Sequence, residues 1–450
     1  GKRVVRFKGG DNFVFGRGFE EILACRAAGV PVSVVPGLTS AISVPAGGGI
    51  PVTHRGVAHE FTVVTGHVPP GHPQSLVDWE ALARMRGTIV LLMAVGCAAI
   101  AAASPAGANR LSSDAVTLDP LHFLWLHLRW LAVGIAAMLG LSMLSRESAR
   151  RFAILLSLGM VAALILVPLI GTEVNGARRW LNLGFSFQPS EFLKPAYVVT
   201  LAWLLSLRSK DQNLPVMQLT GVLTLLISAV LMRQPDFGQT VIFMACWGAL
   251  LLLSGLEMRW IAMLGSAGLA GLVAVYMFYE NGRQRINDFL GIGVQMDTGP
   301  DQTALAFRTI THGGLPGVGP GGGLNKFRLP EAHTDYIFSV IGEEFGLLAC
   351  IAIACVYLAI IVRVLLRLLD EEDVFTILAA AGLTTQFGLQ AIINMGVNAQ
   401  IFPSKGMTLP FISYGGSSML ALCTGVGLLL AFTRRNPFMG RHTVVKWSGR

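Results

Sequence analysis

Long apolar runs fill most of this chain, and the residues able to do chemistry stand where those runs break. QPSEFLKP (188–195) sets Glu191 and Lys194 three residues apart at the head of an apolar stretch, on one face of a helix. Charges there are costly unless paired or wet, so the pair either fixes helix packing or faces a polar cavity. HTDYIF (333–338) puts His333 and Asp335 at the mouth of a later run, where capping and catalysis are both open roles. The longest polar segment, 281–335, carries Asp297 and Asp301 within MDTGPDQ. Loops longer than about 15 residues without regular structure are usually functional or disordered.

These groups need elements to hold them. Of 450 residues, 53% are hydrophobic and 13% charged; a soluble domain carries about 25% charged residues. The apolar surplus begins near residue 88, whereas 1–86 has the composition of a soluble protein. Runs long enough to cross roughly 30 Å of hydrocarbon predict spans at 88–104, 122–144, 152–171, 191–207, 215–232, 239–254, 257–279, 336–366, 374–400 and 411–433. Basic loops at 145–151, 207–211, 256–259, 363–373 and the C-terminal tail assign one side, with both termini, to the cytoplasm.

The other side is also basic, through Arg178, Arg179, Arg233, Arg283, Arg285, Arg308, Lys326, Arg328 and Lys405. That runs against the usual bias, and an anionic substrate bound at that face would account for it. The net charge of +8 therefore needs no nucleic acid. Six cysteines (Cys25, Cys97, Cys246, Cys350, Cys355, Cys423) show no metal-ligand spacing and read as small hydrophobes. GVGPGG (317–322) has no βαβ unit around it and reads as a mobile loop rather than a nucleotide site. Glu343 and Glu344, inside the eighth span, must face protein or water. SYGGSS (413–418) offers small residues for close helix packing. The chain opens on Gly1 without a leader pattern, as expected if the natural start lies upstream.

From about residue 92 onward the chain resembles the SEDS family of peptidoglycan glycosyltransferases (shape, elongation, division and sporulation), most closely its division branch. The residues that carry this are GARRWLNLGFSFQPSEFLKP (176–195), RQPDFGQT (233–240), GGLPGVGPGGG (313–323), LPEAHTDYIFSVIGEEFG (329–346), NMGVNAQIFPSKGMTLPFISYGGSS (394–418) and TRRNP (433–437). The resemblance implies an all-α multispanning fold of about ten transmembrane helices, with 281–335 as a large periplasmic loop. It also implies polymerisation of lipid II in the bacterial inner membrane, beside a class B penicillin-binding protein and the division machinery. An Asp in the large loop is the family's proposed catalytic residue. Counting back from Gly313 sets Gln302 on the family's Gln, and both Asp297 and Asp301 precede it; Asp297, followed by Thr298, matches slightly better.

Lipid II carries its sugar α-linked to undecaprenyl pyrophosphate, so a β-1,4 bond requires inversion. A carboxylate can take the proton of the attacking hydroxyl, while cations stabilise the departing pyrophosphate. Arg178, Arg179, Arg233, Arg285 and Lys405 are candidates for that charge. Glu191, Lys194, Trp180, Asp236, Gln302, His333 and Asp335 complete the expected substrate contacts. No cofactor is required by the sequence, and a divalent cation at the pyrophosphate is compatible with it. A lipid II flippase would use the same basic cavity without a catalytic carboxylate.

Residues 1–93 resemble an internal piece of a tetrapyrrole methylase of the uroporphyrinogen-III C-methyltransferase kind, through GKRVVRFKGGDNFVFGRGFEEILACRAAGVPVSVVPGLTSA, GIPVTHRGVA, FTVVTGHVPPGH and DWEALARMRGTIVLLM. By that resemblance Gly9, Gly10, Asp11, Val14, Thr39, Ser40 and Met93 line a vestigial S-adenosylmethionine site. The family's glycine-rich opening loop and acid/base pair lie upstream of the matched region, and its later strands are replaced here by membrane sequence. A sheet without its outer strands leaves edges uncovered, so no methyltransferase activity is expected. The expected organisation is an incomplete α/β methylase-like fragment at 1–90 followed by a membrane domain at 91–450, and GTIVLLM (87–93) belongs to both.

Overall fold

The computed structural model describes residues 18–34, 42, 91–112, 117–174, 177–182, 186–209, 211, 213–255, 258–278, 283, 287, 302–403 and 406–434. The chain divides into two compact units, Gly1–Leu91 with Asn436–Arg450, and Leu92–Arg435. In the first, the described structure is chiefly one helix, α1 (Gly18–Ala27).

The second unit is a helical bundle. Its long helices are α2 (Leu91–Leu111), α3 (His122–Ser142), α4 (Arg146–Ile170), α5 (Pro189–Leu207), α6 (Val216–Arg233), α7 (Phe237–Leu253), α8 (Met258–Phe278), α10 (Ile337–Leu368), α11 (Val374–Asn398) and α12 (Gly416–Thr433), with a short α9 (Gln302–His312). Among the described residues, seven helices are long and apolar enough to cross a membrane. Local chemistry sets several starts. Ser145 accepts from the Ser148 amide, Asp236 from Gln239 and Asp373 from Thr376, while Pro189 occupies the first turn of α5.

Two expected spans come out differently. The first continues past residue 104, through Pro105, to Leu111. Proline removes an amide donor, a loss that a bundle tolerates, and one carbonyl further on Lys326 Nζ donates to Ala102 at 2.9 Å. The eighth is broken at Gly346, whose φ of 81° and ψ of 175° are open to glycine alone. The segment GGLPGVG is spliced into that gap. Leu347 and Leu348 amides donate to the Gly314 and Leu315 carbonyls at 2.9 and 3.4 Å, while Val318 and Gly319 amides donate to Glu343 and Glu344 carbonyls at 2.9 and 3.0 Å. Four backbone groups at the break thus find partners in the loop. Residues 347–368 alone suffice to cross roughly 30 Å of hydrocarbon at about 1.5 Å per residue, and 337–344 are buried in protein.

A small antiparallel sheet not expected from the residue pattern, β1 (Thr172–Val174), β2 (Ala177–Asn182) and β3 (Ser186–Phe187), lies between α4 and α5. Thr172 faces Trp180, and Leu181 faces Phe187. Two apolar cores fill the bundle. One gathers Tyr197, Leu201, Phe243, Phe375 and Phe432; the other gathers Ile100, Phe338, Phe387 and Phe411. The polar site lies where α5, α7 and α10 begin and α11 ends.

Candidate active site

Glu191 and Lys194 sit one turn apart on α5, and Lys194 Nζ lies 2.9 Å from the Glu191 carboxylate. Both are buried, Lys194 to 2% exposure. Their remaining polar needs are met from two other helices. Gln239 of α7 donates to Glu191 Oε1 at 2.6 Å, and Lys194 donates to Gln390 Oε1 of α11 at 3.3 Å. Gln390 in turn donates to the Thr408 carbonyl at 3.1 Å. Packing and polarity coincide here, because the pair crosslinks three helices at the polar end of the bundle.

Next to it, Asp236 caps α7 and lies 3.9 Å from the Arg179 guanidinium. Burial pushes the Asp236 carboxyl up, and Arg179 opposes that shift. The Arg179 fork donates to the Gln234 and Pro235 carbonyls at 3.2 and 2.6 Å. It thus ties β2 to the α6–α7 turn. Arg178 pairs with Glu173 at 3.3 Å on the exposed face of the hairpin. The two hairpin arginines among those expected to meet phosphate are therefore engaged within the protein. Trp180 is half-buried in β2, and Arg233 is exposed in the last turn of α6.

The turn before α10 brings His333 and Asp335 to the same end. The His333 ring stacks on Phe123 at 4.0 Å and lies 5.7 Å from Tyr414. Burial pushes this imidazole down toward the neutral form, against the pull of Glu331. The main-chain carbonyl of Asp335 accepts two side-chain amides from α11, Asn394 at 2.8 Å and Asn398 at 3.0 Å. Asn398 Oδ1 accepts from the Ser339 amide at 3.1 Å and hydroxyl at 2.6 Å. Asp335 as a residue is half-buried. Burial, followed by the charges of Glu331 and Glu191, raises its carboxyl to about 7. The Glu191 effect links this turn to the α5 pair. Gln302, at the start of α9, joins through the Tyr336 hydroxyl at 3.4 Å.

The glycine loop expected to be mobile is tied down. Glu343 accepts the Leu324, Asn325 and Lys326 amides at 3.1, 2.8 and 3.1 Å, with His312 Nδ1 at 3.1 Å. Glu344 accepts the Gly321 amide at 2.9 Å and pairs with buried Lys326. Two carboxylates facing protein, as their place in an apolar run required, hold the loop.

Several expected residues lie outside the described ones: Asp297, Asp301, Arg285, Lys405, and Gly9, Gly10, Asp11, Val14, Thr39 and Ser40. Met93, assigned to the vestigial cofactor site, packs against the membrane core. Gln239, Gln390, Asn394 and Asn398 were not anticipated. A signal existed, since Gln386, Gln390, Asn394 and Asn398 recur every fourth residue, on one face of a largely apolar helix.

Residues 83–437 match the family model described as cell cycle protein, and residues 1–109 match that of the tetrapyrrole (corrin/porphyrin) methylases. Both matches cover 83–109, the stretch shared by the two ancestries. The probable peptidoglycan glycosyltransferase FtsW of Caulobacter vibrioides is 39% identical over 80% of this chain and 90% of its own length. Its counterpart from Coxiella burnetii is 35% identical over 79% of this chain and 97% of its own. Among solved structures, a chain from a study of polymerization and crosslinking by a peptidoglycan synthase complex is 29% identical, with a TM-score of 0.59 over 76% of this chain and 96% of its own. The rod shape determining protein RodA of Thermus thermophilus is 26% identical, with a TM-score of 0.54 over 76% and 93%.

Proposed function

Because the chain belongs to the cell cycle protein family named for FtsW, RodA and SpoVE, we propose that it is a peptidoglycan glycosyltransferase polymerising lipid II into glycan strands for the division septum. It is a multi-pass membrane protein. The bacterial inner membrane, with both termini in the cytoplasm, is the setting proposed for it. A class B penicillin-binding protein, which would crosslink the new strands, and the division machinery are its proposed partners; the synthase complex among the structural neighbours favours this.

One observation carries the mechanistic reading. Asp335 is a carboxylate enclosed by protein, in a half-buried residue, with its proton affinity raised to about 7 by burial and by the charges of Glu331 and Glu191 of the buried Glu191–Lys194 pair. A general base works best when its pKa lies near the working pH. In this reading Asp335 takes the proton of the acceptor sugar's 4-hydroxyl as that oxygen attacks the donor's anomeric carbon. The carbon–oxygen bond to the pyrophosphate breaks as the new bond forms on the opposite face, so the α-linked donor yields a β-linked product. Arg233, exposed at the end of α6, is one described cation proposed for the departing pyrophosphate, and Arg285 and Lys405 are further sources of charge. Asp297 and Asp301 are the alternative bases in the same reaction. Glu191 and Lys194 hold the floor of the site and keep Asp335 in an acidic surrounding.

The full-length protein in lipid vesicles, given labelled lipid II, tests the function. Glycan ladders support the enzyme; movement of lipid II between leaflets without polymer would replace it with the transport reading. The methylase-like fragment is proposed to be inactive, and labelled S-adenosylmethionine should not bind the intact chain.

A further inference from the structure

Between α9 and Asn325 the chain runs GGLPGVGPGGGL (313–324), without a single charged or polar side chain. Loops that stand in water are polar. The depth of this one is fixed at the break in α10, where the Leu347 amide donates to Gly314 at 2.9 Å and the Leu348 amide to Leu315 at 3.4 Å. Leu348 belongs to the part of α10 that crosses the membrane. From Arg367, in the last turn of that helix, it lies about 29 Å away at about 1.5 Å per residue. A hydrocarbon core of roughly 30 Å therefore reaches Leu348, and any tilt of the helix sets it deeper. Leu347, Leu348 and Ile351 are exposed there, as side chains facing acyl tails must be. Leu315 shares the level of Leu348 and is as open, 61% against 59%.

Irregular backbone at that depth is tolerated only where protein satisfies it. Pro316 and Pro320 have no amide to satisfy, and the amides of Gly317, Val318, Gly319, Gly321, Gly322 and Leu324 all donate within the protein. Arg308 and Arg328, both exposed, stand before and after the loop, as long cations do where chain passes from hydrocarbon to lipid phosphate.

We propose that the glycine loop is a re-entrant segment, seated in the leaflet on the polar-site side with Leu315 among the acyl chains, so that lipid is what covers this apolar face. The membrane-facing surface of α10 is then continued by a second stretch of chain, and the hydrogen bonds across the Gly346 break hold the two at one depth. This holds whichever carboxylate serves as the base.

The test uses the full chain in phospholipid vesicles. Wild-type protein, illuminated with a phospholipid that carries a diazirine on its acyl tail, should take label in the tryptic peptide 309–326. Depth is read from nitroxides placed singly by Leu315→Cys, Leu348→Cys and Arg328→Cys, in a chain whose own six cysteines are replaced. Oxygen, which concentrates in lipid, should relax the probe at position 315 as strongly as the one at 348. A polar nickel chelate should relax it several-fold less than the probe at 328, because hydrocarbon excludes polar solutes. Nickel relaxation at 315 equal to that at 328, or no acyl label in 309–326, would overturn the proposal. Shielding of position 315 that appears only when a class B penicillin-binding protein is added would also overturn it, by making the face a protein-docking surface. If the cysteine-replaced chain does not fold, acyl labelling of the wild type decides.

Discussion

Lys194 lies 2.9 Å from the carboxylate of Glu191, and neither side chain is open to bulk solvent. Removing one partner of such a pair strands a charge, which costs about 3–5 kcal/mol. Lys194→Met should therefore unfold at markedly lower denaturant in detergent micelles. Glu191→Gln/Lys194→Met should recover much of the loss, because a glutamine can still accept from Gln239. Equal stability of the single variant and the wild type would show the pair to be idle.

The carboxyl of Asp335 sits at about 7, raised by burial, Glu331 and Glu191. A base is active when deprotonated, so kcat should climb with pH to a plateau above an apparent value near 7. Glu191→Gln removes one raising charge, and the limb should move to lower pH. His333 faces the same turn but is held toward its neutral form, so its removal should not abolish the limb. The sign for stability is the reverse of the usual Asp case. The folded state holds a proton that the unfolded chain releases, so this group favours folding below the ordinary carboxylate range. That contribution fades as pH rises through about 7. A flat kcat profile from pH 5 to about 8 would contradict the assignment.

Gly346 should tolerate no side chain. Its backbone conformation excludes other residues, and a β-carbon would collide with the Leu315 carbonyl and the Gly317 amide. Gly346→Ala is expected to cost about 3 kcal/mol or more. It should also release the 313–326 loop, visible as faster hydrogen exchange at Val318, Gly319 and Gly321. Unchanged exchange there would mean that the splice is not what holds the loop.

The two adjacent arginines of the hairpin should behave differently. Arg178 makes an exposed pair with Glu173, and such pairs contribute about 0–1 kcal/mol. Arg179 holds two carbonyls at the α6–α7 turn. Arg179→Ala should therefore lower the melting temperature clearly more than Arg178→Ala. Equal effects would argue against the tie.

The bundle was legible because each span is an apolar run long enough to cross the membrane, and lipid tolerates little else. The Glu191–Lys194 pair was legible for the same reason in reverse, as charges in costly surroundings. What escaped notice lacked such a contrast. The break at Gly346 sits in EEFGLL with no proline, and its partners lie some thirty residues earlier in GGLPGVG. β1 and β3 are too short for any period to register. The α11 amides do follow a four-residue spacing, but uncharged polar residues in an apolar helix draw less attention than a carboxylate. Asp335 was seen at a helix mouth, yet the residues that raise its proton affinity, Glu331 apart, come from a distant helix and cannot be inferred from spacing. The junction was read at GTIVLLM (87–93), a run suited to a buried strand or a membrane helix, and the two family matches overlap at 83–109.

The turnover number of Asp335→Asn, in vesicles with labelled lipid II and alongside Asp297→Asn and Asp301→Asn, tests the central claim most directly. Loss of a general base should lower kcat by about 10²- to 10⁴-fold with lipid II binding retained, and the other two variants should fall far less. Polymer made by Asp335→Asn at the wild-type rate, or a comparable collapse in Asp297→Asn or Asp301→Asn alone, would contradict it.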